Sequence, residues 1–211
     1  MTASDKTLDY CYAHTSPVDA SLGAVERATH LRTLSPQMLS GPYQGMLIRF
    51  ISQMIRPLRA LEVGTFTGYT AICIAQGMPE GGMLDTIEVN DELGWLIRSH
   101  LQGAGVEEKV CLHIGDAAQI IPTLEAGFDL VFLDAGKLDY AQHYEMALAK
   151  TRQGGFILAD NVLWDGKVAG GDEKDETARV LRDFNDFVQH DPRVENILLP
   201  IRDGILMMRK V

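Results

Sequence analysis

Four apolar runs each carry a carboxylate at their end: Glu62 in ALEVG, Glu88 in LDTIEVN, Asp134 in DLVFLDAG and Asp160 in GFILADN. If the runs are parallel strands, the acids line one edge of a sheet, and ligands bind in the crevice beyond the carboxyl ends of such strands. Asn161 follows Asp160, so Asp134, Asp160 and Asn161 make an all-oxygen donor set suited to Mg²⁺, Mn²⁺ or Ca²⁺. The plainer alternative is an Asx turn at Asp160 and a helix cap at Asp134. Lys137 lies three residues after Asp134. On its own it reads as a solvated loop lysine; beside a divalent cation its ammonium form is disfavoured and it becomes a general base toward a phenol.

The first run continues into Gly64-Thr65-Phe66-Thr67-Gly68-Tyr69-Thr70, a strand-to-helix turn with glycines where the backbone turns tightly. It is neither a P-loop nor the dinucleotide G-x-G-x-x-G, so a phosphate ligand is disfavoured. The turn amides and the Thr70 hydroxyl instead offer a place for a carboxylate at a helix N-terminus. Glu88, one strand further on, reads as an acceptor for ribose hydroxyls or as a helix cap. The two elements together point to an adenosine-type cofactor bearing a carboxylate, chemistry that S-adenosylmethionine has.

The elements that must position these groups alternate. Apolar, β-branched runs near 59–63, 83–88, 109–114, 128–133 and 154–159 are separated by helix-like stretches, which predicts a doubly wound, mostly parallel α/β sheet. VENILLP and GILMMRKV flank Ile201-Arg202-Asp203-Gly204 and predict an antiparallel hairpin, so that seven strands end on an antiparallel one. Residues 1–55 read as a helical cap, with Ser4 and Pro17 as helix starts and a strong helix from Gln44 to Ile55. A polar helix is expected around Glu173–Gln189. Residues 58–211 form the cofactor-binding core, and the whole of 1–211 reads as one domain.

The chain has 211 residues, 46% of them hydrophobic, and a formal charge of -10. That charge repels nucleic acid and anionic membranes, leaving a small molecule as the expected partner. Cys11, Cys73 and Cys111 form no C-x-x-C pair, and no leader or spanning segment is apparent, so a cytoplasmic protein is expected. The six histidines, at 14, 30, 100, 113, 143 and 190, lack metal-site spacing and read as structural. No G-x-S-x-G elbow exposes a nucleophilic serine.

LEVGTFTGYT, TIEVN, FDLVFLDAGKLDY and GGFILADNVLW, in this order and followed by LLPIRDGILMMRK, resemble the cation-dependent O-methyltransferases, the class of caffeoyl-CoA and catechol O-methyltransferases. The resemblance covers nearly everything from Met38 onward. It implies a Rossmann-like methyltransferase fold with extra N-terminal helices, and a homodimer. It implies that Glu62, Gly64 and Thr70 line the methionine end of S-adenosylmethionine, that Glu88 holds the ribose, and that Asp116 and Ala117 lie by the adenine. Asp134, Asp160 and Asn161 would hold the cation, Asp134 bordering the cofactor as well, and Lys137 would be the base acting on a vicinal dihydroxy aromatic. Met38 and Trp164 are candidate acceptor contacts, Trp164 by stacking or by packing alone. The chain departs from the family at Gly136, where relatives often carry an acid or a large aromatic against the cofactor. The stretch Trp164–Asp172 reads as a mobile loop over the acceptor. Two other readings compete: a nicotinamide-dependent oxidoreductase on a similar sheet, and a nucleotide-binding protein without turnover.

Overall fold

Burial alternates along the strands, and the alternation divides the core into two layers. The computed structural model describes residues 5–171 and 174–211. Seven strands, β1 (Arg59–Val63), β2 (Met83–Glu88), β3 (Val110–Ile114), β4 (Phe128–Leu133), β5 (Thr151–Asp160), β6 (Val194–Leu199) and β7 (Ile205–Lys210), form one sheet in the order β3-β2-β1-β4-β5-β7-β6. The first five pair in parallel, and β7 runs antiparallel to both β5 and β6. Helices α1 (Asp5–Ala13), α2 (Ala20–Arg32), α3 (Gly41–Ile55), α4 (Tyr69–Gly77), α5 (Gly94–Gly103), α6 (Ala117–Ile120), α7 (Tyr140–Lys150), α8 (Lys167–Gly170) and α9 (Glu176–Gln189) complete the chain.

Leu61, Val63, Val131, Leu133 and Ile157 join the core beneath α7 and α9, whereas Ala60, Leu84, Leu130, Phe132 and Leu158 join the core beneath α2 to α5. Successive residues of a strand face opposite ways, so a strand buried on both faces reads as a continuous apolar run. α9 earns its place through a stripe: Ala178, Leu181, Phe184 and Val188 recur at helical spacing and are all buried. Where α3 crosses α4, Gly77 stands so close that a Cβ there would meet the Arg49 carbonyl oxygen at 2.7 Å.

The expected doubly wound sheet and terminal hairpin are present, with some boundaries displaced. Pro17 does not start α2; Asp19 does, its side chain accepting from the Leu22 amide at 3.2 Å. β5 begins at Thr151 rather than near 154, because a register shift at Phe128/Leu130 absorbs extra residues around Gly154, which sits at φ +75. Trp164–Gly171 is not an irregular loop: a turn leads into α8, anchored by buried Val168. Ser4, Asp172 and Glu173 lie outside the described residues. Among the described residues no helix is long and apolar enough to cross a membrane.

Candidate active site

Strand register sets the acids in order. Glu62 is paired with Thr86 of β2 and Phe132 of β4, and Phe132 with Leu158 of β5. Two residues further on, and therefore on the same face, come Gly64, Glu88, Asp134 and Asp160. Glu88, Asp134 and Asp160 thus stand level at the strand ends with Gly64 between the first two. Glu62 is one rung lower and 0% exposed. The expectation that the four acids line one edge holds for Glu88, Asp134 and Asp160, and Glu62 lies one rung below them on the same face.

Gly64 has φ +99, and a Cβ on it would fall 2.7 Å from the Asp134 carbonyl carbon. The close approach that requires glycine is to the backbone after β4. The turn amides are largely committed within the protein: Gly64 and Thr65 donate to the Ile87 carbonyl at 2.9 and 3.2 Å, and Gly68 to the Thr65 carbonyl at 2.9 Å. An anionic ligand group is left to the first turn of α4, whose leading amides have no partner within the helix. The Thr70 hydroxyl is shared with Ser40 at 2.8 Å, and the Thr67 hydroxyl with Thr29 of α2 at 2.8 Å, so the N-terminal helices are fastened directly to this turn. A cleft remains, lined by Met38, Ser40, Gly64, Phe66, Thr67 and Asp134, with Met38 60% exposed on its rim.

Glu88 shapes the same turn. Its Oε2 accepts from the Phe66 amide at 2.7 Å and its Oε1 from the Asn90 amide at 2.9 Å. A carboxylate has about four acceptor positions, which leaves room for two ribose hydroxyls. The Gly115 amide donates to the Glu88 carbonyl at 2.8 Å, bringing Asp116 and Ala117 alongside. Asp116 caps α6 through the Ala118 amide at 2.8 Å.

At the other end of the row, Asp160 is 2% exposed and Asp134 half-buried. Burial, then the like charge of Asp134, push the Asp160 carboxyl up to about 7. Lys137 Nζ donates to Asp134 Oδ1 at 2.8 Å and to the Tyr140 hydroxyl at 2.7 Å. Tyr140 in turn donates to the Asp160 carbonyl at 2.7 Å, and burial holds its phenol well above the ordinary value, so it stays neutral. Asn161 adopts φ 58, and its amide donates to Asp160 Oδ1 at 2.8 Å, a contact between adjacent residues; the amide two residues on, Val162, donates to the Gly204 carbonyl at 3.2 Å instead of closing an Asx turn.

Three residues escaped sequence reasoning. Gln44 of α3 donates to Asp160 Oδ2 at 2.5 Å. Arg202, in the β6–β7 turn, donates to the Ser40 carbonyl, to the Leu39 carbonyl at 3.3 Å and to Gln44 Oε1 at 3.3 Å. Tyr140 positions Lys137 as described. The first two contacts join segments far apart in the chain and leave no local signal; Tyr140 lies three residues after Lys137, a spacing that could have been noticed. Trp164 is half-buried against the core and hydrogen-bonded to Asp175, the packing alternative rather than an open stacking surface.

Glu62 has one oxygen satisfied by the Thr86 hydroxyl, at 2.5 Å, while Oε1 has no partner among the described residues. Burial is the main reason its carboxyl is pushed from 4.5 up to about 8. Between those values the unfolded chain releases a proton that the folded protein keeps, so stability from the neutral acid is intact below 4.5 and lost as pH rises through 8. The loss is about 1.4 kcal/mol per pH unit. Glu62→Gln removes this slope: the urea unfolding free energy of the variant minus that of the parent should rise from pH 5 to pH 8. Parallel curves would show that the acid ionises as it does in water.

This geometry can be set beside known proteins. A family profile described as O-methyltransferase matches residues 13–211. The chain is 35% identical over 173 residues to a Mus musculus protein named catechol O-methyltransferase domain-containing protein 1, covering 80% of this chain and 66% of the mouse protein, just under two thirds of its length. It is 29% identical over 202 residues to caffeoyl-CoA O-methyltransferase of Stellaria longipes, covering 90% and 83%. Among solved structures, the SAH-bound methyltransferase PaMTH1 of Podospora anserina superimposes with a TM-score of 0.91 at 27% identity over 100% of this chain and 98% of that one. The seven-stranded sheet with β7 reversed, the acidic row at its edge and a match spanning nearly the whole chain agree: this chain belongs to the O-methyltransferase family.

Proposed function

We propose that the chain transfers the methyl group of S-adenosylmethionine to one hydroxyl of a small vicinal dihydroxy aromatic, with a divalent cation assisting. The observation that carries this reading is the level row of Glu88, Asp134 and Asp160 with Lys137 hydrogen-bonded into it. The cofactor fits on two counts: Glu88 retains acceptor capacity, and the unpartnered Glu62 Oε1 matches an ammonium donor such as the cofactor's methionine end carries. The cation fits because two carboxylates, one of them nearly enclosed, face a single lysine, and an oxygen donor set binds hard cations.

S-adenosylmethionine supplies an activated methyl on sulfonium, and the cation supplies Lewis acidity that lowers a phenol's pKa. The protein's own work is placement and proton handling. Asp134, Asp160 and Asn161 would hold the cation. With Asp134 so engaged, Lys137 loses its ion-pair partner; the Tyr140 hydroxyl still fixes Nζ, which accepts the phenol proton. Gln44 and the Asn161 amide keep the Asp160 carboxylate oriented. Met38, on the cleft rim, is better placed than Trp164 to touch the acceptor.

Thermal unfolding with S-adenosylhomocysteine and, separately, with NAD tests the cofactor. A ligand at about 100 times its Kd adds roughly 2.7 kcal/mol of native stability. A rise with S-adenosylhomocysteine alone is expected; a rise with NAD alone would sink the reading. For the cation, Asp160→Asn keeps the shape and removes the charge. Its turnover of a catechol in Mg²⁺ should fall by about 100-fold or more, as expected when several kcal/mol of charge stabilisation are lost. A variant that stays active and indifferent to chelator would show that no cation is used.

A further inference from the structure

On the face of the sheet opposite the one that carries the acidic row, three side chains converge that the methyl-transfer reading does not use. Cys111 and His113 are two residues apart on β3 and so share a face, and Asp85 of β2 is the direct ladder partner of Cys111. A sulfur, an imidazole nitrogen and a carboxylate oxygen from these residues all lie within 4.8 Å of one another. His113 Nε2 stands 2.8 Å from Asp85 Oδ1. β3 is the edge strand of the sheet, Cys111 is exposed, and the other two are half-buried, so solvent and ions reach the cluster.

A His–Asp hydrogen bond alone accounts for two of the three groups and leaves the thiol unexplained. A reactive, redox-sensing thiol is also a poor fit: burial and the Asp85 charge push Cys111 above its ordinary value, the opposite of what activates a cysteine. A cation is the agent that gathers a thiolate, an imidazole and a carboxylate. In a tetrahedral zinc site with bonds of about 2.0–2.3 Å, neighbouring ligand atoms are about 3.3–3.8 Å apart. The widest separation, at most 4.8 Å, must therefore shrink by up to about 1–1.5 Å and the 2.8 Å His113–Asp85 contact open by about 0.5–1 Å, shifts that rotation of side chains at an exposed edge supplies without backbone movement.

We propose that Asp85, Cys111 and His113 form a binding site for a thiophilic divalent cation, Zn²⁺ being the one their donors suit, with the fourth position open to water. Sulfur and nitrogen donors separate this site from the all-oxygen crevice, which favours hard cations. On binding, the Cys111 proton passes to solvent as the metal–sulfur bond forms, and His113 ligates as a neutral imidazole. The cation ties β2 to β3 three residues before Glu88, outside the crevice, so the proposal stands independently of the methyl-transfer reading.

Cobalt(II) is the probe, because thiolate ligation gives it a near-ultraviolet charge-transfer band that oxygen ligands do not produce. Titrating Co²⁺ into the reduced 211-residue chain should develop that band, and added Zn²⁺ should abolish it. Cys111→Ser should eliminate the band while Cys11→Ser retains it, and His113→Gln and Asp85→Asn should each weaken Co²⁺ binding at least tenfold. Far-UV circular dichroism verifies that each variant is folded. No band in the parent protein, a band surviving Cys111→Ser, one lost in Cys11→Ser, or unchanged affinity in both His113→Gln and Asp85→Asn would each overturn the site.

Discussion

Lys137→Ala should lower kcat for a catechol acceptor by roughly 10²- to 10⁴-fold, the usual contribution of a positioned acid or base. The thermal shift produced by S-adenosylhomocysteine should persist. Lys137 lies over the Tyr140 ring, Nζ 4.8 Å from its centroid, and both of its hydrogen bonds go to groups fixed by burial or by strand ends. Removing it therefore deletes the proton acceptor while leaving the Tyr140 bond to the Asp160 carbonyl in place. Measured kcat and KM separate the outcomes: a fall confined to kcat identifies a proton-transfer role, and unchanged turnover removes Lys137 as the base. A protein that binds nucleotide without turnover would show no methyl transfer even in the parent chain.

Gly64→Ala should have the largest effect on stability. The substitution forces an L-residue to φ +99 and drives its methyl into the Asp134 carbonyl, which cannot move without shifting the end of β4. Left-handed strain of about 1–2 kcal/mol and overpacking of about 1–3 kcal/mol combine to roughly 2–5 kcal/mol. For a chain of this size that is a fall of roughly 10 °C in Tm. Gly23→Ala is the internal contrast. Gly23 lies within α2 at ordinary φ with nothing inside 4 Å, so the same substitution should stabilise by about 0.5–1 kcal/mol. Differential scanning calorimetry of both variants checks the pair; equal shifts would mean that the Gly64 backbone relaxes freely.

Much of the site was legible because its parts are local. Lys137 and Asp134 are three residues apart, Asp160 and Asn161 adjacent, and each apolar run names its strand. The Asp203-Gly204 turn marks the terminal hairpin for the same reason. Glu62 and Glu88 stand in the same local setting, LEVG and IEVN, so the letters do not tell them apart; the pairing of Glu62 with Thr86 and Phe132 is what places it one rung below the other three acids. The hold of Gln44 and Arg202 on the site was not legible, since no local pattern predicts a partner more than a hundred residues away. The Asp85–Cys111 pairing likewise needs the register of two strands. His113, read as structural from its spacing, gains neighbours only when β3 lies beside β2.

The contacts that fasten the N-terminal helices to the crevice also set an order of assembly. Gln44 meets Asp160 across a separation of 116 residues, and Arg202 meets Ser40 across 162. Loops of that length close late, after local helices and neighbouring strands have formed, because their chain entropy is surrendered before any contact rewards it. A chain growing from its N-terminus thus carries α3 for most of its synthesis with Gln44 and the Ser40 carbonyl unmet. The crevice becomes whole only when the final hairpin emerges, so a product truncated before Arg202 keeps its acids, its lysine and the Thr67 and Thr70 contacts to the first helices but lacks the clasp on the Ser40 and Leu39 carbonyls.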